Sequence, residues 1–339
     1  MALAQMGGGV AGLTLGSRAQ AQDLSAIAEE ALRKSGAPGL GLAWLTGESV
    51  AQTVVGRAWR GGPAVTKAAR WHLGSLGKAV TGTLTARLVE QKQLAWDTRL
   101  DAVFGPGAYG EVTLDDLLRH QARLPANLAD FSQFTGEDTR SHRREAVEIM
   151  RKTPPLAPGF HYSNAGYVLA AAMMETITDT GFEALLAQEI FEPLGLASAG
   201  FGPPQEGPQG HRVLPLVGPL PVGRGPRADN PPFYAPAGTL HMSLSDYARF
   251  VQEHLRREPG FLTSASWNHM HTARAGESYA LGWGVSNDGR LGHSGSNTLW
   301  YARVAMAPKD RALILVTNSG DGARVEQAFD KASGRLGGP

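Results

Sequence analysis

The sequence predicts an α+β protein: one antiparallel sheet formed by both chain ends and flanked by terminal helices, with a mainly helical subdomain inserted. Three observations carry this. Period-two, β-rich segments occur near both ends of the chain. The long middle reads in helical periods. A helix-period segment precedes the first strands, and another follows the last. In this reading residues 23–78 and 270–339 make the sheet subdomain and 79–269 the helical one, with the site between them.

The elements follow in order. Asp23 to Lys34 is an amphipathic helix, with Leu24, Ile27, Ala28, Ala31 and Leu32 on one face, Asp23 as cap and Gly36 and Pro38 as stops. Gly39–Thr46 and Ser49–Val55 read as strands around a Gly47-Glu48 turn, and 56–70 as loop. Val80, Leu84 and Leu88 recur every four residues, a helix opening near Ser75. Further helices are Leu114–His120 with Thr113 as cap, Ser141–Lys152, Ala165–Thr178, Phe182–Phe191, and Ser245–Arg256 with Ser243 or Ser245 as cap. Residues 199–238, dense in Gly and Pro, read as a long loop: a cleft edge or a solvated insertion. Tyr279–Ser286, Arg290–Ser294, Leu299–Met306 and Ala312–Thr317 are the late strands, and Arg324–Leu336 a closing helix.

Composition narrows the function. A chain of 339 residues, 42% hydrophobic and 19% charged, is an ordinary globular protein. Its formal net charge of +1 argues against nucleic acid as a partner. With no cysteine, thiolate metal sites and cysteine nucleophiles are excluded. No apolar run is long enough to span a membrane. Residues 1–22 read as a degenerate signal peptide ending near Ala19-Gln20-Ala21, or as a disordered tail. The first reading implies export to the periplasm or beyond, the second a cytoplasmic protein. Gly7-Gly8-Gly9-Val10-Ala11-Gly12 matches a dinucleotide fingerprint by chance, since no strand precedes it. His269-Met270-His271 lacks a third ligand at a zinc-site spacing.

Three short stretches carry chemistry. In Ser75-Leu76-Gly77-Lys78 the hydroxyl and amine share a helix face at its N-terminus, and no other lysine has a serine three residues before it. A lysine whose pKa is lowered can take the proton of a serine nucleophile. Tyr162-Ser163-Asn164 lies on a loop before the helix at 165. There Tyr162 is a proton shuttle, its phenolate favoured by a nearby ammonium, and Asn164 is a bridge from the lysine to a substrate amide. His293-Ser294-Gly295-Ser296 ends a strand, where His293 and Ser294 meet the polar end of a substrate. The N–H of Ser296 faces an oxyanion.

Together these stretches resemble the three motifs of the serine β-lactamase-related hydrolases, the branch holding class C β-lactamases, D-Ala-D-Ala carboxypeptidases, esterases and D-amino-acid amidases. The resemblance covers about residues 23–336. Leu117-Leu118-Arg119-His120, Phe191-Glu192-Pro193-Leu194-Gly195-Leu196 and Ala280-Leu281-Gly282-Trp283-Gly284 support it. It implies a β-lactamase/transpeptidase-like fold and hydrolysis of an amide or ester through acyl-Ser75. Lys78 and Tyr162 share the activating proton, and either is the formal base. The N–H groups of Ser75 and Ser296 form the oxyanion hole, and Asn164, His293, Ser294 and Gly295 bind substrate. The substrate is a small-molecule or peptide acyl donor, with no metal or cofactor, and the protein is a monomer. The alternative is a penicillin-binding sensor that acylates without turnover.

Two departures qualify the resemblance. Class C enzymes usually carry Lys-Thr-Gly where this chain has His293-Ser294-Gly295, and a histidine is mostly neutral at pH 7. That favours peptidase, amidase or esterase activity over efficient β-lactam hydrolysis. Relatives commonly have Thr-Ser-Gly-Leu-Pro where this chain has Gln121-Ala122-Arg123-Leu124-Pro125.

Overall fold

The computed structural model describes residues 11–339 apart from Glu48, Ala129 and Gln133, and of residues 11–22 the backbone alone. Residues 7–10 of the glycine run and Glu48 of the expected turn lie outside the described residues. The strands are β1 (Gly39–Thr46), β2 (Ser49–Gly56), β3 (Arg70–His72), β4 (Gly200–Phe201), β5 (His211–Leu214) and β6 (Gly218–Pro221). They continue with β7 (Leu240–Ser243), β8 (Gly284–Val285), β9 (Leu291–Ser296), β10 (Tyr301–Ala307) and β11 (Arg311–Thr317). The helices are α1 (Ala11–Ser35), α2 (Gly77–Glu90), α3 (Leu100–Phe104), α4 (Leu114–Leu118), α5 (Thr139–Met150) and α6 (Asn164–Thr178). After them come α7 (Phe182–Leu186), α8 (Ala235–Gly238), α9 (Leu244–Arg256), α10 (Ser264–His271) and α11 (Gly322–Leu336).

The main sheet has the order β2-β1-β11-β10-β9-β8, antiparallel throughout, so both chain ends build it as the periodicity predicts. Alternation along β11 separates two cores. Leu313 and Leu315 face α1 and α11, packing with Leu24, Ile27, Leu42, Val325 and Phe329. Ala312, Ile314 and Val316 face the helical middle, with Trp71, Leu84, Met173 and Trp283. Strand β9 therefore lies where the sheet meets α2.

The structure corrects several boundaries. Helix α1 begins at Ala11, so Asp23 lies inside it and does not cap it. The stretch between them contains no proline to stop the helix. Asp138 caps α5 and Ser163 caps α6, so Asn164 is the first residue of its helix, not a loop residue. The expected strand over 279–286 shrinks to Gly284–Val285, because the chain turns at Gly282 (φ +81°) against Ala79 of α2. A side chain at residue 282 would strike the α2 backbone. Residues 199–238 are no plain loop: they hold β4, the β5–β6 hairpin and α8. Strands β3, β7 and β4 form a small second sheet. Arg70–His72, part of it expected as loop, is there the strand that delivers the chain to Ser75.

Candidate active site

Ser75 sits in a single 3-10 turn, Gly74–Leu76, immediately before α2. That turn leans on β9. Gly74 has φ +52°, and a side-chain carbon there would run into the backbone nitrogen of Ser296. One on Gly295 would overlap the carbonyl oxygen of Leu73 and lie 2.8 Å from the nitrogen of Ser75. Two glycines thus let the two backbones approach, which brings the nitrogens of Ser75 and Ser296 to one place. Both residues line the same cavity, of about 50 Å³, with Asn127, Asn164, Asn230, Tyr234, Ala237 and Gly238.

Lys78 follows one turn after Ser75, as the second residue of α2, and is fully buried. Its Nζ lies 3.1 Å from Ser75 Oγ, 2.6 Å from Asn164 Oδ1 and 2.7 Å from the carbonyl oxygen of Ala237. Two of the three are pure acceptors, because Asn164 Nδ2 donates to Asn127 Oδ1 at 2.8 Å. Nζ can donate to all three oxygens, and once neutral it can donate to the two carbonyls and turn its lone pair to the serine hydroxyl. Burial drives the electrostatics the same way, holding Lys78 well below its ordinary value.

Tyr162 lies beside Ser75, and Lys78 Nζ lies 4.9 Å from its ring centre. The expected phenolate is corrected here: burial pushes Tyr162 up to about 12, only partly offset by the Ser75 side chain. The ammonium that would favour the phenolate is itself disfavoured by the same burial. His120 packs against Tyr162 at 4.3 Å between ring centres and accepts the N–H of Ser163 on Nδ1. It has φ +62°, and burial lowers its pKa to about 2.

His293 differs from expectation. It is buried, its Nδ1–H donates to the Ser294 carbonyl at 2.7 Å, and its Nε2 accepts from the Tyr279 hydroxyl at 3.0 Å. Burial lowers its pKa to about 3, so it is neutral at pH 7. Both nitrogens are engaged within the protein, and His293 is not among the residues lining this cavity. Ser294, opposite Arg303 on β10, neighbours the Tyr301 hydroxyl and is outside the cavity lining. Of the β9 residues, Ser296 reaches the cavity and Gly295 gives it room.

Sequence reasoning missed Asn127, Asn230, Tyr234 and the Ala237 carbonyl. The last three sit in or beside the segment read as loop, where Pro231-Pro232 and Ala235-Pro236 mark the turns that aim them. His269 and His271 take separate partners, Asp115 at 2.8 Å and His254 at 2.8 Å. A larger depression of about 440 Å³ near Arg99, Tyr109 and Arg123 stands apart from Ser75.

The family model described as Beta-lactamase matches residues 24–333. The chain belongs to the β-lactamase family. It is 23% identical over 298 residues to "Unguisins hydrolase ungD'" of Aspergillus campestris, covering 77% of this chain and 54% of that one. The chain thus spans about half the length of this curated relative. Among solved structures, D-amino acid amidase from Ochrobactrum anthropi SV3, complexed with L-phenylalanine amide, superposes with TM-score 0.76 at 20% identity. That match covers 93% of this chain and 99% of the amidase. The octameric penicillin-binding protein homologue from Pyrococcus abyssi gives TM-score 0.76 at 20% identity, covering 94% and 77%. These likenesses show the β-lactamase/transpeptidase-like fold. Among the described residues, no helix is long and apolar enough to cross a membrane.

Proposed function

We propose that this β-lactamase-family protein hydrolyses amides or esters that carry no carboxylate beside the scissile bond, through an acyl-Ser75 intermediate. The observation that carries the reading is the Lys78 amine held between two carbonyl oxygens and Ser75 Oγ. The Ser75 proton moves to Lys78 Nζ as Oγ bonds the substrate carbonyl carbon. The oxyanion then takes the N–H groups of Ser75 and Ser296. The leaving group departs with a proton returned from Lys78 by way of the Tyr162 hydroxyl, and water releases the acyl group. Lys78 is the base in this reading, because burial keeps Tyr162 protonated and disfavours the charged form of Lys78.

The neutral substrate is supported by the lining. Asn127, Asn164, Asn230 and Tyr234 offer amide and hydroxyl groups, and the residue that would be a lysine in class C enzymes is the buried, neutral His293. A D-amino acid amidase among the similar structures agrees with amide cleavage, and a relative named as a hydrolase agrees with hydrolysis. Every group named comes from one chain, so a monomer suffices for this chemistry.

Labelling with a fluorophosphonate, in wild type and Ser75→Ala, tests the reading. The wild type is expected to label and the variant not. Equal labelling of both removes Ser75 as nucleophile. A panel of p-nitrophenyl esters, amino-acid amides, D-Ala-D-Ala peptides and a chromogenic cephalosporin ranks substrates, with uncharged esters and amides expected to exceed the carboxylates. Acylation without turnover on all of them establishes the sensor alternative.

A further inference from the structure

The residue pair His72 and Asp229 lies outside every motif, yet it is wired to both halves of the oxyanion hole. His72 ends β3, three residues before Ser75. Its Nδ1 accepts the N–H of Gly74 at 3.1 Å, so the ring proton is on Nε2. That Nε2–H donates to Asp229 Oδ2 at 2.8 Å, with side-chain exposures of 0% and 2%. The His72 ring also stacks on Trp300, 5.3 Å between centres. Asp229 comes from the Gly/Pro-rich segment, and its other oxygen is equally occupied. Oδ1 accepts Asn297 Nδ2 at 3.0 Å and the N–H of Asn230 at 2.8 Å.

Each of these partners adjoins a cavity residue. Gly74 precedes Ser75, Asn297 follows Ser296, and Asn230 lines the cavity itself. Asn297 Oδ1 also accepts the N–H groups of Leu299 and Trp300, both at 3.2 Å, which closes the turn after β9. One buried carboxylate therefore ties three separate stretches of chain around one point. The Gly74 N–H is the group it fixes most directly, through the imidazole. Turning that peptide plane rotates the turn that carries the Ser75 N–H. Charge-assisted hydrogen bonds in a dry site are stiff, which suits a donor that must be aimed before the reaction.

We propose that Asp229, acting through His72 and Asn297, is a positioning residue for the oxyanion hole, and that it makes the Gly/Pro-rich segment part of the catalytic geometry. The inference rests on Ser75 being the nucleophile. Asp229 touches no reacting atom. It holds the Ser75 and Ser296 N–H groups at the separation a tetrahedral oxyanion requires, and it presents Asn230 to the substrate.

The test compares wild type, Asp229→Ala, His72→Phe and Asn297→Ala with p-nitrophenyl acetate, active sites being titrated to completion with a fluorophosphonate. A boronic acid, which forms a tetrahedral adduct on a serine, reports the oxyanion hole separately. Asp229→Ala is expected to lower kcat per titrated site by about 10- to 100-fold, below the cost of deleting a donor outright. KM should stay within about twofold, and boronic acid affinity should fall with kcat, since only transition-state binding is lost. His72→Phe keeps the ring on Trp300 and frees the Gly74 N–H, so it should reproduce the direction if Asp229→Ala does not fold. Asn297→Ala cuts one arm and should lose less. A merely structural clamp would lower the titratable fraction and the Tm while kcat per site and boronic acid affinity stayed within about threefold of wild type. That result overturns the proposal. Ser75→Ala, run alongside, separates the two failures: if it still labels, the nucleophile reading falls and this one with it. If it is dead while Asp229→Ala turns over normally, only the clamp falls.

Discussion

Among the described residues, Arg143 and Lys78 are long cations with no exposed surface, and they live in opposite surroundings. Arg143, on α5, lies between two carboxylates: Glu175 at 2.6 and 3.1 Å and Glu183 at 2.9 and 3.1 Å. Burial by itself lowers its pKa, but the two carboxylates outweigh burial and raise it. Lys78 meets three uncharged oxygens and no counter-charge, and burial holds it well down. The lesson is that depth alone does not decide protonation. Partner charge sets the direction of the shift, and an amine buried without a carboxylate is a base in waiting. Arg143 joins α5, α6 and α7; Lys78 joins Ser75 to the rest of the cleft.

Removing either cation should expose the difference. Arg143→Met leaves Glu175 buried with the Phe182 N–H but no counter-charge, and is expected to cost about 3–5 kcal/mol of stability, read by urea unfolding. Its kcat per titrated site should match wild type. Lost turnover in a protein of unchanged stability would contradict the structural role. The reverse experiment gives Lys78 what Arg143 has. Asn164→Asp puts a carboxylate where an amide oxygen now stands 2.6 Å from Nζ. An adjacent opposite charge favours the ammonium, so acylation at pH 7 should fall roughly tenfold and its pH limb should move alkaline by at least about one unit. An unmoved limb would mean that Lys78 is not the group titrating.

How much of this could be read beforehand follows from the range of each interaction. The sheet and α2 were legible, because alternation and four-residue apolar spacing are local signals. Ser75 and Lys78 were legible because three residues place them on one face. Which residue caps α6 was harder, since Ser163 and Asn164 are adjacent and both are good capping residues. The Ala237 carbonyl was hidden, as any carbonyl is, until the chain around it was placed. His72 and Asp229 stand 157 positions apart, and neither carries a local pattern. His293 was legible as a motif position, but its protonation was not, because burial is a property of the folded core.

The one departure at Arg123 now has a geometry. Its φ of +58° is the left-handed conformation in which the glycine of its relatives is at ease. Arg123 is held there by Leu156, whose carbonyl accepts Nε at 2.6 Å and whose N–H meets the Arg123 carbonyl at 2.9 Å.

The central claim is that Lys78 is a neutral base for Ser75, and the pH dependence of acylation tests it most directly. A rapid-mixing burst of p-nitrophenol measures the acylation rate constant alone. The neutral fraction of an amine grows with pH, so the rate rises through the Lys78 pKa and then levels. With Lys78 held well below the ordinary lysine value, the rate should level off before the pH at which an unperturbed lysine titrates. A rate still climbing through about pH 10, where an unperturbed lysine titrates, would contradict the account.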